Sequence, residues 1–170
     1  FLENNILEIE RSLNDFIKNI NLILESDDFL NISISLKKNN YEELINKEKL
    51  KRLLNEAKNE CKKTIDNRKI VHMLIESYFI DKKVYKFFPD NLKCNFFSMD
   101  LSFICLSKEY YSQLEQILKN YQVSINKILQ FNYVNSFSTQ NQKNLFEMSK
   151  LLLDGFNENE VLIIPKETKN

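Results

Sequence analysis

The spacing of apolar residues alternates along this chain between the period of a helix and the period of a strand. Apolar residues at steps of three and four over residues 6–24 predict one amphipathic helix of about six turns. Over residues 32–36 they alternate with polar residues, as in a half-buried strand, and Asn39 and Asn40 indicate a turn that ends it. The two periods together predict a mixed α+β fold.

The same reading continues to the end of the chain. A second apolar stripe predicts a helix over residues 50–65. Strands are expected over residues 70–80 and 94–106, paired antiparallel. The remaining elements are expected to be a helix over residues 110–121 introduced by Ser107 as its N-cap, a strand over 124–131, a helix over 145–156 with Gly155 near its C-terminal end, and a last strand over 161–164.

The composition predicts a folded chain without an obligate polyanionic partner. At 170 residues, of which 43% are apolar, the chain can form one or at most two units with a core. Its 24 basic and 24 acidic residues cancel. Residues 1–28 carry seven acids against two bases, whereas residues 47–69 carry nine bases against four acids. The basic segment lacks base-stacking aromatic residues on its charged face, so we predict no nucleic-acid partner.

The scarcity of glycine argues against nucleotide binding. Gly155 is the one glycine of the sequence. Loops that hold phosphate need several glycines, because only then can the backbone amides approach the anion without a side-chain clash. We therefore expect no nucleotide cofactor within this chain.

Residues with catalytic or metal-binding chemistry are sparse and poorly spaced. The cysteines Cys61, Cys94 and Cys105 form neither an even disulfide framework nor a CxxC pair, which favours reduced thiols. His72 has no neighbour at ligand spacing and is expected to be a hydrogen-bonded or half-exposed strand residue. The acidic pair Glu42-Glu43 is expected in a polar turn, where general acid catalysis is improbable. We predict no enzyme activity, no catalytic residue, no cofactor and no metal.

The ends of the sequence bear on its location. No apolar run approaches the ~20 residues of a membrane span, and no charged and then apolar leader opens the chain. A cytoplasmic location is expected on these grounds. The first residue is Phe1 rather than Met, which predicts that the chain is part of a longer protein.

A run of residues in the middle of the chain carries a family resemblance. Residues 70–74 read Ile-Val-His-Met-Leu and are followed by Tyr78, Ile80 and Asp81, with Pro89 further on. This stretch, and residues 69–137 generally, resembles the inserted subdomain of FtsA, the actin-like membrane tether of the bacterial cell-division ring. The family has a hydrophobic-Leu-His-Val-Ile strand, then Tyr, then Ile-Asp, then a Pro-x-Gly-Leu hairpin.

The departures from the family pattern indicate a divergent member. Ile75 stands where the family usually has proline, and Asn91, Cys94 and Gln122 stand where it usually has glycine. The glycine-rich loops with which FtsA holds ATP are missing from this sequence.

The resemblance implies a strand-helix-strand-strand (SHS2) fold: an antiparallel sheet with packed helices, and a flanking helix and strand at each end. It divides the chain into an actin-like segment (residues 1–40), an SHS2-like subdomain (41–131) and a C-terminal helix and strand (132–170). It also implies partners: neighbouring FtsA-like molecules, late division proteins such as FtsN, and FtsZ through the full-length protein. The location implied is the inner face of the cell membrane, with attachment through residues outside this chain.

The expected contact surface is an open sheet edge with a hairpin of cations and aromatic residues. The hairpin residues are Lys82, Lys83, Tyr85, Lys86, Phe87 and Phe88. Such a composition favours an interface if the aromatic residues are exposed, and it indicates core if they are buried. Two other identities stay open: the pilus-assembly protein PilM, which carries a related insertion and would bind a pilus-protein tail, and one half of a working actin-like ATPase.

Overall fold

The computed structural model describes residues 2–161, apart from the side chain of Glu3, and the predicted α+β class is confirmed. Residues 162–164 of the predicted last strand lie outside the described residues. The elements in chain order are α1 (Leu2–Leu13), β1 (Asn19–Leu24), β2 (Leu30–Ile45), α2 (Lys47–Thr64), β3 (Arg68–Ile80), β4 (Lys83–Tyr85), β5 (Leu92–Ser107), α3 (Lys108–Lys119), β6 (Ser124–Gln130), α4 (Phe131–Asn141) and α5 (Leu145–Leu153).

Four strands form the main sheet in the order β2-β5-β3-β4, with every neighbour antiparallel. The predicted antiparallel pairing of residues 70–80 with residues 94–106 is therefore confirmed. Strand β2, helix α2, strand β3 and strand β5 follow one another along the chain, with the short β4 between the last two. The strands β1 and β6 form a separate parallel pair. Assignment of this arrangement to the SHS2 family stays a prediction.

The side chains on one face of the sheet form rows across three strands, because the residues paired in register point the same way. Phe103 of β5 lies between Ile32 of β2 and Met73 of β3. The next rows are Ile34-Leu101-Ile75 and Leu36-Met99-Tyr78. Helix α2 covers these rows with Leu53, Ala57 and Cys61. This face is the larger of the two hydrophobic cores.

Two bulges in β3 keep its apolar side chains on the face of the larger core. The register with β5 shifts once between Ile70 and His72 and again between Ile75 and Ser77, so that Val71 and Glu76 are each an extra residue. An extra residue moves the following side chains to the other face. The core residues of β3 therefore change from even to odd numbers after Val71 and back to even after Glu76.

The second core lies against the other face of β5. It contains Ile104 of β5, Leu129 of β6, Tyr133 and Val134 of α4, and Met148 and Leu152 of α5. Its formation explains why β5 is buried on both faces near its C-terminal end, where Phe103, Ile104, Cys105 and Leu106 are all buried.

The predicted six-turn helix over residues 6–24 is wrong in its second half. Helix α1 ends at Leu13, where Asn14 follows with φ of 53°, and residues 19–24 form β1. Three- and four-residue steps through an isoleucine- and leucine-rich stretch also satisfy a strand, which needs only alternate apolar positions. The parallel partner β6, a hundred residues away, decides the outcome.

The predicted turn at Asn39 and Asn40 is also wrong, because β2 continues through a bulge to Ile45. The Asn40 side chain is 2% exposed and donates to the carbonyl oxygens of Glu43 (2.6 Å) and Cys94 (3.3 Å). Tyr41 and Glu42 take positive φ values of 50° and 60°. Glu42 of the acidic pair therefore lies in this bulge, and Glu43, which pairs with Cys94, directly follows it. A buried asparagine that bonds the backbone thus replaces the turn expected from its residue type.

The later helices were predicted unevenly. Helix α3 begins as predicted after Ser107, whose hydroxyl accepts from the amide of Tyr110 (3.0 Å). Helix α5 ends at Leu153, three residues before the predicted end, and Gly155 beyond it has a φ of +90°. Helix α4 was not predicted, because only a few of its residues are apolar and the stripe they form is weak.

The larger core generates a stability prediction. Substituting Phe103, which is fully buried, with alanine removes its ring from the centre of a side-chain row and leaves a cavity. We expect Phe103→Ala to lower the free energy of unfolding by about 3–5 kcal/mol, measured by urea denaturation. Phe146→Ala is the matched control, because that ring is 80% exposed, and it should change stability little. Equal losses in the two variants would contradict this core.

Candidate functional site

The structure separates the six predicted contact residues into two groups. Lys82, Lys83 and Lys86 are exposed, and so is Phe87 with 56% of its surface. Tyr85 and Phe88 are instead half-buried and pack against the larger core, the Phe88 ring centroid lying 5.6 Å from that of Tyr78. Of the two alternatives that the sequence left open for the hairpin aromatics, core packing therefore applies to Tyr85 and Phe88 and exposure to Phe87.

Lys86 and Phe87 line a cleft of about 520 Å³. Its other walls are β3, helix α4 and the segment of residues 156–159 that follows α5. The cleft thus lies where the main sheet meets the helices of the second core. Its lining residues are Leu74, Ile75, Glu76, Lys86, Phe87, Tyr133, Ser136, Phe137, Gln140, Phe156, Asn157, Glu158 and Asn159.

Aromatic rings form one wall of the cleft. Tyr133 and Phe137, one helical turn apart on α4, have ring centroids 5.4 Å apart at 71°. Phe137 meets Phe156 edge to face, at 6.2 Å and 85°. Phe156 is 46% exposed, and Phe87, on the hairpin that also lines the cleft, is 56% exposed. Exposed aromatic residues beside a concavity are enriched in the centres of protein interfaces.

Charges of both signs surround these rings. Lys86 lies on the hairpin wall, with its Nζ 5.9 Å from the centroid of Phe87. Glu76 lies on the β3 wall and Glu158 on the segment after α5. Glu76 is the second bulge residue of β3, and its side chain is exposed. The cleft is therefore lined by apolar rings and by charged side chains of both signs.

The outer edge of β3 is occupied on both sides of Glu76. On one side, the amide of Ile75 donates to the carbonyl of Asn159 (2.9 Å) and the amide of Val161 donates to the carbonyl of Met73 (2.8 Å). On the other side, residues 78–80 pair with β4. Within residues 2–161, no strand pairs with this edge at residues 76–77. In this part of the chain, a short piece of the β3 edge beside the cleft is thus without a strand partner on its outer side.

A buried polar network lies under the cleft. The His72 Nε2 accepts from the amide of Gln130 (3.1 Å), so the ring proton is on Nδ1, which donates to Oε1 of Glu160 (2.7 Å). The hydroxyl of Tyr133 donates to the other carboxylate oxygen of Glu160 (2.7 Å). Asn157 donates to the Tyr133 hydroxyl oxygen (3.0 Å). One carboxylate therefore joins β3, α4 and the segment after α5.

The electrostatics of this network favour an ionised Glu160. Burial alone would raise the pKa of the Glu160 carboxyl, but the hydrogen bonds from His72 and Tyr133 and the charge of Lys127 hold that pKa below its ordinary value. Burial and the nearby Glu160 carboxylate raise the pKa of Tyr133 far above its ordinary value, so that its hydroxyl stays a donor. The network is satisfied with one negative charge and a neutral histidine.

The chemistry of this network is structural. A general base needs a free lone pair within reach of a substrate proton, and the Nε2 lone pair of His72 already accepts a backbone amide. Of the two alternatives predicted for His72, the hydrogen-bonded strand residue is therefore confirmed, and the half-exposed one is wrong. Cys61, Cys94 and Cys105 are free and buried, and burial raises the pKa of Cys105 to about 12, which keeps that thiol protonated.

Sequence reasoning missed most of the cleft. Tyr133 and Phe137 lie on α4, the helix that was not predicted. Asn157 and Glu160 follow α5 in a polar stretch without periodicity. The available signal was Phe156, an aromatic residue directly after the glycine that ends a helix, where a hydrophobic contact back to the helix is common.

Comparison with known proteins adds no family assignment: no protein-family model matches this sequence, and no curated protein is detectably similar to it. Over residues 2–161, no helix has the length and apolar content needed to cross a bilayer. The same part of the chain contains no group of three or more His, Cys, Asp and Glu side chains placed to hold a metal ion.

The network generates a pH prediction. Because the pKa of folded Glu160 lies below its ordinary value of 4.5, the carboxylate contributes stability that is complete above the unfolded value and is lost as the pH falls through the folded value. We expect Glu160→Gln to lower the free energy of unfolding at neutral pH by about 1–3 kcal/mol, since a partner of buried donors is changed. The variant should also lose less stability on acidification than the unsubstituted chain.

The measurement is urea denaturation at neutral pH and at a series of acidic pH values. Glu158→Gln is the control, because Glu158 is exposed and only two residues away. The assignment fails if Glu160→Gln and the unsubstituted chain lose the same stability between neutral and acidic pH.

Proposed function

We propose that this chain is a protein-interaction module of an FtsA-type cell-division protein, binding extended segments of division partners in the cleft lined by Lys86 and Phe87. In this proposal the parent protein sits at the inner face of the cell membrane and contacts neighbouring FtsA-like molecules. The chain itself carries no enzyme activity and no cofactor. The observation that carries the proposal is an aromatic-walled cleft directly beside an open piece of strand edge.

The binding mode follows from that combination. An extended segment can bond to the free backbone groups of a strand edge while alternate side chains enter adjacent pockets. At the cleft, the open residues 76–77 of β3 would supply the backbone contacts. Phe87, Phe137 and Phe156 would hold one apolar side chain, and Lys86 and Glu158 would select its charged neighbours. The affinity would rest mainly on the aromatic contacts, and the specificity on the charges.

The identity of the family rests on the sequence resemblance of residues 69–137. The order of strand, helix, strand and strand in β2, α2, β3 and β5 is compatible with it. A PilM-like pilus-assembly module has a related insertion and differs in the peptide that it binds. An actin-like ATPase half would need phosphate loops, for which Gly155 alone provides too little glycine.

A binding experiment tests the proposal. We expect a fluorescent peptide with the sequence of the cytoplasmic tail of FtsN, taken from the same organism, to bind the chain. Phe87→Ala should weaken that binding about five- to thirtyfold, the range for an aromatic residue that contributes 1–2 kcal/mol to an interface. Fluorescence anisotropy gives the dissociation constants, and circular dichroism checks that the variant stays folded.

The hairpin offers a matched control. Val84 is 65% exposed on β4 but does not line the cleft, so Val84→Ala should leave peptide affinity unchanged. Equal effects of the two variants, or no binding of the FtsN peptide, would contradict the proposal. Binding of a pilus-protein tail peptide instead would favour the PilM-like identity, and binding of ATP would favour the ATPase half.

A further inference from the structure

A second surface, at the opposite side of the sheet from the cleft, carries an inference about self-association. Strand β2 is the first strand in the order β2-β5-β3-β4, so one of its edges is unpaired within residues 2–161. Residues 30–39 pair with β5 without a register shift. Residues 30–36 contain no proline, no charge and no bulge. Proteins usually protect a long strand edge from unwanted pairing with prolines, charged residues or bulges. In β2 the charged residues and the bulge come only after residue 36, at Lys37, Lys38 and residues 40–42.

We propose that this edge pairs with the same edge of a second copy of the chain, antiparallel about a two-fold axis at Ser33. This inference concerns the self-association part of the proposed function and is independent of the cleft. The two four-stranded sheets would join into one sheet of about eight strands, within the size range of natural sheets. The contact would be isologous, as in most homodimers.

The register follows from the residues that it brings together. With Ser33 opposite Ser33 of the second copy, Ile32 lies opposite Ile34 and Leu30 lies opposite Leu36 on the face that α2 covers. Leu30 is 40% exposed, and the other three are only partly buried at the edge of the core. Pairing would cover apolar surface that the single chain leaves open.

The opposite face supports the same register. There Asn31 meets Ser35 and Ser33 meets itself, so every contact is between small uncharged polar side chains. Ser33 and Asn31 are exposed, and the Ser35 hydroxyl donates to Asp100 within its own chain (2.6 Å). No like charges oppose each other in the paired stretch.

Charge complementarity fixes the ends. Counted along the sequence, the same register would bring Asp28, in the turn before β2, towards Lys38 of the second copy, twice in the dimer. Lys38 now pairs with Glu56 at 3.0 Å, but both side chains are nearly half exposed, so this contact is easily exchanged. A shift of two residues in one direction would place Leu36 opposite Asp28. A shift in the other direction would place Lys38 opposite Leu30, so both alternatives are disfavoured.

The first test measures the dimer directly. We expect sedimentation equilibrium of the full chain over a concentration series to show a monomer-dimer equilibrium. Ser33→Lys should raise the dimer dissociation constant by about tenfold or more, because two lysines would face each other at the axis. Asn59→Lys adds the same charge at an exposed position on α2 and should leave the dissociation constant unchanged.

A second test reads the register and does not depend on the tolerance of Ser33 for lysine. Ser33→Cys should form a disulfide between the two copies under mild oxidation. Ser35→Cys should not, because its two copies would lie about 13 Å apart along the strands. The native cysteines are buried and should not interfere.

The outcomes separate this proposal from the cleft. A chain that is monomeric at every concentration overturns it, and so does a dimer that Ser33→Lys leaves intact, or cross-linking of Ser35→Cys as fast as that of Ser33→Cys. Failure of the FtsN peptide to bind would leave a Ser33-dependent dimer standing, whereas loss of the dimer would leave peptide binding at the cleft untouched.

Discussion

The position of β5 between β2 and β3 determines how the rest of the chain must fold. A central strand with neighbours on both sides sets the alternation of side chains for each of them, because residues paired in register share a face. In this protein, Met99, Leu101 and Phe103 of β5 form the middle of three rows that α2 covers. If the apolar residues of a neighbouring strand do not alternate with the same period as those of β5, a local bulge is needed to return its apolar side chains to the core face.

The bulges of β3 make that correction, and the second of them lies in the wall of the cleft. The first bulge, at Val71, brings His72 and Met73 to opposite faces with both buried, so that Met73 enters the main core and His72 meets Glu160 below the cleft. The second, at Glu76, leaves a charged residue at the open part of the β3 edge. The cleft and the edge of β2 lie at opposite sides of the sheet order. The partner binding proposed at one side and the self-pairing proposed at the other would therefore not compete for the same strand.

The parts of the fold that were predictable are those where local pattern and tertiary pairing agree. The strands β3 and β5, helix α2 and the Ser107 cap of α3 follow from apolar spacing and capping chemistry alone. Residues 19–24 were wrongly predicted as helix because their apolar spacing fits both a helix and a strand. Only the pairing with the distant β6 decides between the two. In the candidate site, the exposure of Phe87 and the burial of Tyr85 depend on how β4 closes against β3. The positions of the Tyr133 and Phe137 rings depend on α4, a helix whose sequence has only a weak amphipathic pattern.

The segment of residues 157–161 connects β3, α4 and the hairpin residue Lys86 through a small number of hydrogen bonds. Glu160 accepts from His72 and Tyr133, the carbonyl of Asn159 accepts from the amide of Ile75, and the side chain of Asn159 donates to the carbonyl of Lys86 (3.1 Å). Local opening of a segment like this breaks its bonds together, as a single cooperative unit with its own free energy. Amide hydrogens at Ile75 and Val161 would then exchange with solvent with one common opening free energy, lower than that of the hydrogens in the ladder between β3 and β5.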